Sequence, residues 1–178
     1  MIKIIIDEKE IEAEEGANLL ETCLHNDIYI PNLCYVEGMK MASASCRLCL
    51  VEIEGKADPL PSCTVIVKEG MRVRTDTGRV RNLQKAALEL LLSAHEVDCG
   101  HCPANKKCAL QRIAKFLKAG LKPKRLEKLL KKSLQTAEHP VLDFYSNRCV
   151  LCGKCIYVCR EKHGRPFLTF AGRLNSLP

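Results

Sequence analysis

Eleven of the twelve cysteines in this 178-residue chain fall into three groups, and this grouping constrains the fold more than any other feature. The first ten residues hold a short apolar run followed at once by charges, unlike a secretory signal. The longest apolar helical stretch, residues 86–94, contains a glutamate and is too short to cross a bilayer. We therefore expect a cytoplasmic protein, in which cysteines stay reduced and bind metals rather than form disulfides.

The first group consists of Cys34, Cys46, Cys49 and Cys63, spaced C-x11-C-x2-C-x13-C. A 2Fe–2S cluster needs four thiolates, and plant-type ferredoxins supply three from one loop and the fourth from a distant segment. The loop 35–48 is rich in Gly, Ser and Ala, which lets backbone N–H groups approach the sulfides. We predict a 2Fe–2S site, although the first gap is longer than in the plant-type spacing. The alternative is a structural zinc site, which usually shows two C-x2-C pairs.

The second group is His95, Cys99, Cys102 and Cys108, spaced H-x3-C-x2-C-x5-C. We predict a 4Fe–4S cluster in which the imidazole replaces one thiolate, because a neutral ligand tends to raise the reduction potential. One alternative is zinc bound by the three cysteines, with His95 on a helix surface. Another is a C-G-H-C dithiol oxidoreductase, but such a site belongs after a strand, at the start of a helix.

The third group is Cys149, Cys152, Cys155 and Cys159, spaced C-x2-C-x2-C-x3-C, and its spacing is the most specific signal in the chain. This spacing predicts a second 4Fe–4S cluster, although in two-cluster ferredoxins the fourth cysteine binds the other cluster. No second run is present, and Arg160 replaces the usual proline. The fourth ligand is then Cys159, a residue of a partner subunit, or a non-cysteine ligand. The alternative is a zinc site or a loop without a cluster.

Hydrophobic periodicity predicts an α+β fold, with an N-terminal β-grasp-like domain followed by helices. With the three cysteine groups placed on this pattern, we expect a 2Fe–2S ferredoxin-like domain, a small, mostly helical 4Fe–4S domain and a ferredoxin-like cluster segment. The expected boundaries are 1–77, 78–120, a basic helical linker at 121–140, and 141–178. The predicted hairpins cover 2–6 with 10–13 and 63–67 with 71–75, and a strand covers 48–54. Helices are predicted at 17–26, 78–95, 106–119 and 123–134.

Positive charge is concentrated between residues 115 and 132, which contain eight Lys and Arg residues and one acidic residue, Glu127. The net charge of this run equals that of the whole chain, +7, so the remainder is neutral. Such a run is either a solvated face or a docking surface for an acidic partner, such as a ferredoxin or a neighbouring subunit. Nucleic-acid binding is the weakest option, because only Phe116 is interleaved as an aromatic residue.

Four segments together resemble one family: Pro31–Cys34, Ser45–Glu52, Asn147–Cys155 and Phe170–Arg173. The chain is similar to the N-terminal region of iron-only hydrogenases, the diaphorase small subunit of soluble NAD-linked hydrogenases, and the large peripheral iron–sulfur subunit of complex I. This resemblance implies a flavin- and NAD(P)-binding partner, a small thioredoxin-like 2Fe–2S subunit, and a further redox or catalytic subunit. The relatives continue into further domains that this sequence lacks.

No catalytic constellation remains once the cluster ligands are assigned, and no G-x-G-x-x-G loop is present to bind NAD(P)H or flavin. Together with the resemblance, this implies a chain that transfers electrons between a flavin subunit and another redox unit of a hydrogenase, formate dehydrogenase or electron-bifurcating complex. The alternative functions are a zinc-stabilised scaffold or assembly module and a dithiol oxidoreductase. Cys23 is expected in the apolar core, and His101, between two ligands, is a candidate hydrogen-bonding neighbour of a cluster. The other histidines, His25, His139 and His163, are expected at the surface or at helix ends.

Overall fold

The computed structural model describes residues 1–130, 141, 144–165 and 167–170. Its first element is an antiparallel hairpin of β1 (Ile2–Ile6) and β2 (Lys9–Ala13), in which Ile4 pairs with Ile11. Alternate residues of β1 are buried, so Ile2, Ile4 and Ile6 face the core. Asp7 and Glu8 form the connecting turn with positive φ values of 48° and 70°. The predicted first hairpin is confirmed.

Three further strands complete a five-stranded mixed sheet in the order β2-β1-β5-β3-β4. They are β3 (Leu50–Ile53), β4 (Leu60–Pro61) and β5 (Arg72–Arg74). The central strand β5 runs parallel to β1 and antiparallel to β3. Helix α1 (Leu19–His25) begins at Asn18, whose side chain accepts hydrogen bonds from the N–H groups of Leu20 and Glu21. A mixed sheet with this helix is the predicted β-grasp-like arrangement.

The predicted second hairpin, 63–67 with 71–75, is wrong. Residues Ser62–Thr64 form a short 3₁₀ helix, and the following residues bond to the segment that leads into α1. Val67 N–H donates to the Ala17 carbonyl at 2.9 Å, and Leu19 N–H donates to the Val65 carbonyl at 2.9 Å. Because these backbone groups are already satisfied, β5 pairs with β1 and β3 instead.

Three more helices follow the sheet: α2 (Gly78–Ser93), α3 (Ala109–Phe116) and α4 (Lys154–His163). Helix α2 buries Val80, Gln84, Leu88 and Leu92, which are spaced four residues apart on one face. The Gln84 side chain donates a hydrogen bond to the Leu50 carbonyl at 3.2 Å and so ties α2 to β3. The predicted helix at 106–119 is shorter than expected, because residues 103–107 form turns.

The predicted helix at 123–134 is absent over 123–130, where the chain forms bends and irregular backbone. Lys124, Arg125 and Lys128 would stack like charges at three- and four-residue steps, which disfavours a helix. Instead, the Leu129 N–H donates to the Ser93 carbonyl at 2.8 Å. Residues 131–134 of that prediction lie outside the described residues, as do His139 and 171–173.

The buried side chains form two apolar clusters. The first core lies between the sheet and α1, and it includes Ile4, Ile6, Leu19, Leu20 and Val51. The second core lies between α2 and α3, and it includes Leu88, Leu92, Leu110, Ile113 and Leu117. Within the described residues, no helix is long and apolar enough to span a membrane. The α+β class predicted from the sequence is confirmed.

Candidate metal centres

The four cysteines of the first group are buried, with exposed fractions of 1, 5, 1 and 2% in chain order. Their sulfurs form two pairs. The Sγ atoms of Cys34 and Cys46 lie 3.4 Å apart, and the thiols of Cys49 and Cys63 are close enough to shift each other's pKa. Two sulfurs bound tetrahedrally to one ion at about 2.3 Å lie roughly 3.8 Å apart. The Cys34–Cys46 distance is therefore close to that of two ligands on one metal ion.

These thiol pairs share protons unequally. The hydrogen bond with Cys46 lowers the pKa of Cys34, and the hydrogen bond with Cys63 lowers the pKa of Cys49, although burial opposes both changes. The same bonds, together with burial, raise the pKa of Cys46 and of Cys63. Each pair therefore favours one thiolate and one thiol. A metal that takes all four sulfurs as thiolates must displace the remaining protons.

The local backbone holds these sulfurs in place. Ser62 N–H donates to the Cys49 carbonyl at 2.8 Å, and the Asn18 side chain donates to the Cys63 carbonyl at 2.8 Å. The hydroxyls of Ser43 and Ser45 and the backbone N–H of Cys46 help to lower the pKa of the Cys34 thiol. The small-residue loop thus provides the N–H and O–H donors that a negatively charged sulfur requires.

The first group lies where the two cores meet. Cys49 and Cys63 pack in the first core, whereas Cys34 and Cys46 pack in the second. The second core also contacts Cys108 of the second group and Cys152 of the third. At least one cysteine from each of the three groups therefore lies in or against the second core.

His95 of the second group follows α2 and is half-buried. Its Nδ1 atom is buried without a hydrogen-bond partner among the described residues, which is unusual for a buried polar atom. Burial and the nearby charge of Arg148 lower the pKa of His95, which favours the neutral ring. A neutral imidazole with an unpaired nitrogen fits a metal ligand.

The three cysteines of the second group lie on short turns that continue from His95 to α3. Cys99 starts a 3₁₀ helix (Cys99–His101), and Cys102 N–H donates to its carbonyl at 3.3 Å. Cys108 is the N-terminal cap residue of α3, and its side chain makes no capping hydrogen bond. All three are half-buried. The C-G-H-C segment follows a helix rather than a strand, which is not the setting of a dithiol active site.

The third group combines a loop with a helix. Leu151 and Gly153 have positive φ values of 52° and 73°, and they turn the chain tightly between Cys149 and the start of α4. Gly153 also lies under an aromatic ring, since a Cβ there would be 3.5 Å from Phe170. Cys155 and Cys159 are one helical turn apart on α4, so they share a face. Cys155 is exposed, whereas the other three are half-buried.

Across the described ranges, no three His, Cys, Asp or Glu side chains are close enough to bind one metal ion together. A 2Fe–2S cluster with four protein ligands needs two per iron, and a 4Fe–4S cluster needs one per iron. A 2Fe–2S cluster therefore uses pairs of ligands, and a 4Fe–4S cluster uses single, well-separated ligands. Neither needs three protein side chains around one ion.

Arg148 links the second and third groups, and sequence reasoning missed it. Its guanidinium donates to the His101 carbonyl at 3.2 Å and lies 4.0 Å from carboxylate oxygens of both Glu96 and Asp98. The guanidinium also lies 5.2 Å from the centre of the Tyr145 ring. The only sequence signal was its position beside Cys149. A cation here is well placed to favour negative charge on either neighbouring site.

The remaining candidates behave as ordinary residues. Cys23 is fully buried in the first core, as predicted, and burial raises the pKa of its thiol to about 12. His25 is exposed and lies 2.8 Å from a carboxylate oxygen of Glu37. His163 packs edge-on against Phe167 at the end of α4. His101 Nδ1 is hydrogen-bonded to Asp98 at 2.9 Å, and its placement near a cluster stays a prediction.

Two family matches cover most of this arrangement. Residues 1–78 match the 2Fe–2S iron–sulfur cluster binding domain, and residues 84–120 match the NADH-ubiquinone oxidoreductase-G iron–sulfur binding region. The chain is an iron–sulfur protein. A 2Fe–2S domain is therefore followed by a 4Fe–4S binding region, as the first two cysteine groups predicted.

Relatives of known identity agree with these matches. The chain is 35% identical over 164 residues to the second G-type subunit of NADH-quinone oxidoreductase from Rhizobium meliloti, covering 92% of this chain and 19% of that protein. It is 31% identical over 173 residues to the NADH-ubiquinone oxidoreductase 75 kDa subunit of Reclinomonas americana, covering 97% and 25%. The chain thus spans a quarter or less of the length of these curated relatives.

A solved structure extends the likeness to the hydrogenases. A chain of an NAD⁺-reducing [NiFe]-hydrogenase in the H₂-reduced state superimposes with a TM-score of 0.86 and 28% identity. The match covers 97% of this chain and 71% of that chain. The resemblance to the large complex I subunit and to NAD-linked hydrogenases is confirmed.

Proposed function

We propose that this chain relays single electrons through three iron–sulfur clusters inside an NAD(P)H-linked oxidoreductase complex. The observation that carries this proposal is the second core, which contacts Cys34 and Cys46 of the first group, Cys108 of the second and Cys152 of the third. Ligands of all three proposed clusters therefore pack against the same apolar cluster, which supports a relay within this one chain.

The proposed ligands follow the three groups. Cys34, Cys46, Cys49 and Cys63 bind the 2Fe–2S cluster, with one sulfur pair on each iron. His95, Cys99, Cys102 and Cys108 bind a 4Fe–4S cluster. Cys149, Cys152 and Cys155 hold a second 4Fe–4S cluster, whose fourth ligand is Cys159, another group of this chain or a residue of a partner subunit.

The sulfur pairing favours iron–sulfur chemistry over zinc at the first site. A structural zinc ion needs four ligands around one centre. The two thiol pairs instead belong to different apolar cores, Cys34 and Cys46 to one and Cys49 and Cys63 to the other. This division fits two irons bridged by sulfide, because each iron binds two protein sulfurs and so takes one of the two pairs.

The relatives suggest the complex in which the relay works. The bacterial G-type protein and the 75 kDa protein are subunits of NADH oxidoreductases, and the solved structure is an NAD⁺-reducing hydrogenase. We infer that electrons pass between a flavin- and NAD(P)-binding subunit and a further redox unit. A small thioredoxin-like 2Fe–2S subunit, a hydrogenase and a formate dehydrogenase are the partners to test. Residues 1–77, 78–120 and 141–178 are the proposed cluster-binding units.

A reductive titration of the anaerobically purified full chain tests the relay. Three one-electron clusters should take up about three electrons per chain, with one 2Fe–2S and two 4Fe–4S signals in the EPR spectra. Uptake of about two electrons, with one 4Fe–4S signal, would assign the third site to a partner-dependent cluster. A preparation that takes up no electrons would contradict the relay.

A further inference from the structure

We propose that an exposed basic surface beside the second cysteine group docks a small, acidic, one-electron carrier protein. This basic surface consists of Lys106, Lys107, Arg112, Lys115, Lys118 and Lys122, all of which are exposed. The inference rests on the proposed function, because it requires a 4Fe–4S cluster at the second group. In the transfer, one electron leaves the reduced carrier and enters this cluster, and neither bonds nor protons need to change.

Helix geometry places the basic surface next to a proposed cluster ligand. Cys108, Arg112 and Lys115 are four and three residues apart, so they share one face of α3. The opposite face carries Leu110 and Ile113 into the second core. Positive charge therefore begins beside Cys108 and continues along the solvent side of the helix.

The charge of this surface is not neutralised locally. Residues 103–130 contain nine Lys and Arg residues but a single acidic residue, Glu127. Arg125 is paired with Glu89 at 2.6 Å, whereas none of the six members of the basic surface forms an ion pair within the described part of the chain. The surface therefore projects a field of one sign into solvent.

The β-grasp domain shows the opposite arrangement, which argues against a merely solvated face. There, Lys3 pairs with Glu10 at 2.6 Å, and Asp58 pairs at 2.5 Å with Arg79 from the start of α2. Arg72 similarly lies 3.4 Å from Glu54. Cations on that half of the molecule are interspersed with acids, so a carrier would be steered towards α3 and not towards the sheet.

An acidic protein fits this surface better than a nucleic acid does. Single-stranded nucleic acids bind where bases stack on exposed aromatic rings. Phe116 is the aromatic residue of α3, and its ring is covered by Arg81 at 4.6 Å and Tyr29 at 4.8 Å. A carboxylate-rich carrier needs only charge complementarity and a short path to the cluster.

The test compares two variants of the full, cluster-loaded chain that lose the same charge. The docking variant carries Lys115→Gln, Lys118→Gln and Lys122→Gln. The control variant carries Lys9→Gln, Lys56→Gln and Lys68→Gln, which are exposed positions of the β-grasp domain. Stopped-flow absorbance measures how fast a reduced acidic 2Fe–2S ferredoxin reduces each protein, at low and at raised salt. Photoreduced deazaflavin provides a reductant that needs no docking.

The docking variant should react with the ferredoxin at least about tenfold more slowly at low salt, while the control keeps the parent rate. Raised salt should remove most of that difference, because exposed charges are screened beyond about 10 Å at 0.1 M ionic strength. Equal ferredoxin rates in both variants would overturn the docking proposal. Failure of deazaflavin to reduce the parent protein would instead overturn the relay itself.

Discussion

The first and third cysteine groups present the same type of side chain in opposite settings. The four thiols of the first group are at most 5% exposed, and they lie between two packed cores. In the third group, Cys155 is exposed, and α4 has no buried residue among those described. The first site is thus built by the fold, whereas the third depends on its cluster, or on a partner, for most of its contacts.

This difference has a physical cause in the chain. The first group is flanked by strands and by α1, so its backbone is held by long-range hydrogen bonds such as Asn18 to the Cys63 carbonyl. The third group is attached through the Arg148 contacts and through the Asn147 carbonyl, which accepts from Glu96 N–H at 2.7 Å. Where the protein alone supplies few contacts, the free energy of binding the metal provides much of the free energy that folds the site.

The largest expected effect comes from removing a ligand of the first group. Cys46→Ser should abolish the 2Fe–2S signal and lower the iron content by about two per chain, because one iron loses a thiolate. The measurement is iron analysis with EPR on anaerobic samples. Cys23→Ala, a change at the buried cysteine outside all three groups, should keep all clusters. A 2Fe–2S signal that persists in Cys46→Ser would show that this ligand set is wrong.

Removing the iron should leave the first cysteine group folded and unfold the region around the third. After anaerobic chelation, we expect protease cuts within 94–108 and 144–165, while residues 1–77 resist, because the hairpin and sheet do not depend on metal. Mass spectrometry of the fragments locates the cuts. Equally fast cleavage within 1–77 would mean that the first site is no more preformed than the third.

A cavity in the second core should destabilise the surroundings of both the first and the third cysteine groups, because both groups contact this core. Leu88 is fully buried on α2, and Leu88→Ala should lower the free energy of unfolding by about 2–5 kcal/mol. The exposed Leu90→Ala on the same helix is the matched control, and it should change stability little. Denaturant unfolding of the cluster-loaded protein measures both variants. A loss at Leu88 no larger than the loss at Leu90 would contradict the second core.

The smallest effect concerns the cap that supports the first site. Asn18→Ala removes the N-terminal cap of α1 and the hydrogen bond to the Cys63 carbonyl, so it should cost about 0.5–2 kcal/mol. Asn18→Asp keeps the cap acceptor but loses the amide donor to Cys63. Unfolding midpoints rank the two variants, and an unchanged midpoint in Asn18→Ala would show that this cap does not support the first site.

Local patterns predicted the first hairpin, α1, α2 and the three groups of cysteines, because alternation, capping and ligand spacing are short-range signals. The pairing of strands that are distant in the sequence was harder to predict. The position of β5 between β1 and β3 depends on which strand satisfies its backbone, and the sequence favoured a simple hairpin instead. Arg148 was likewise invisible, since its partners Glu96 and Asp98 lie about fifty residues earlier in the chain. The irregular backbone at 123–130 was not predicted either, although like charges at helical spacing disfavour the helix expected there.

The most direct test of the central claim is the iron and acid-labile sulfide content of the anaerobically purified full chain. Three filled sites predict about ten irons and about ten sulfides per chain, from one 2Fe–2S and two 4Fe–4S clusters. About six of each would mean that the third group fills only with its partner. A colourless protein with bound zinc and no labile sulfide would contradict the electron relay.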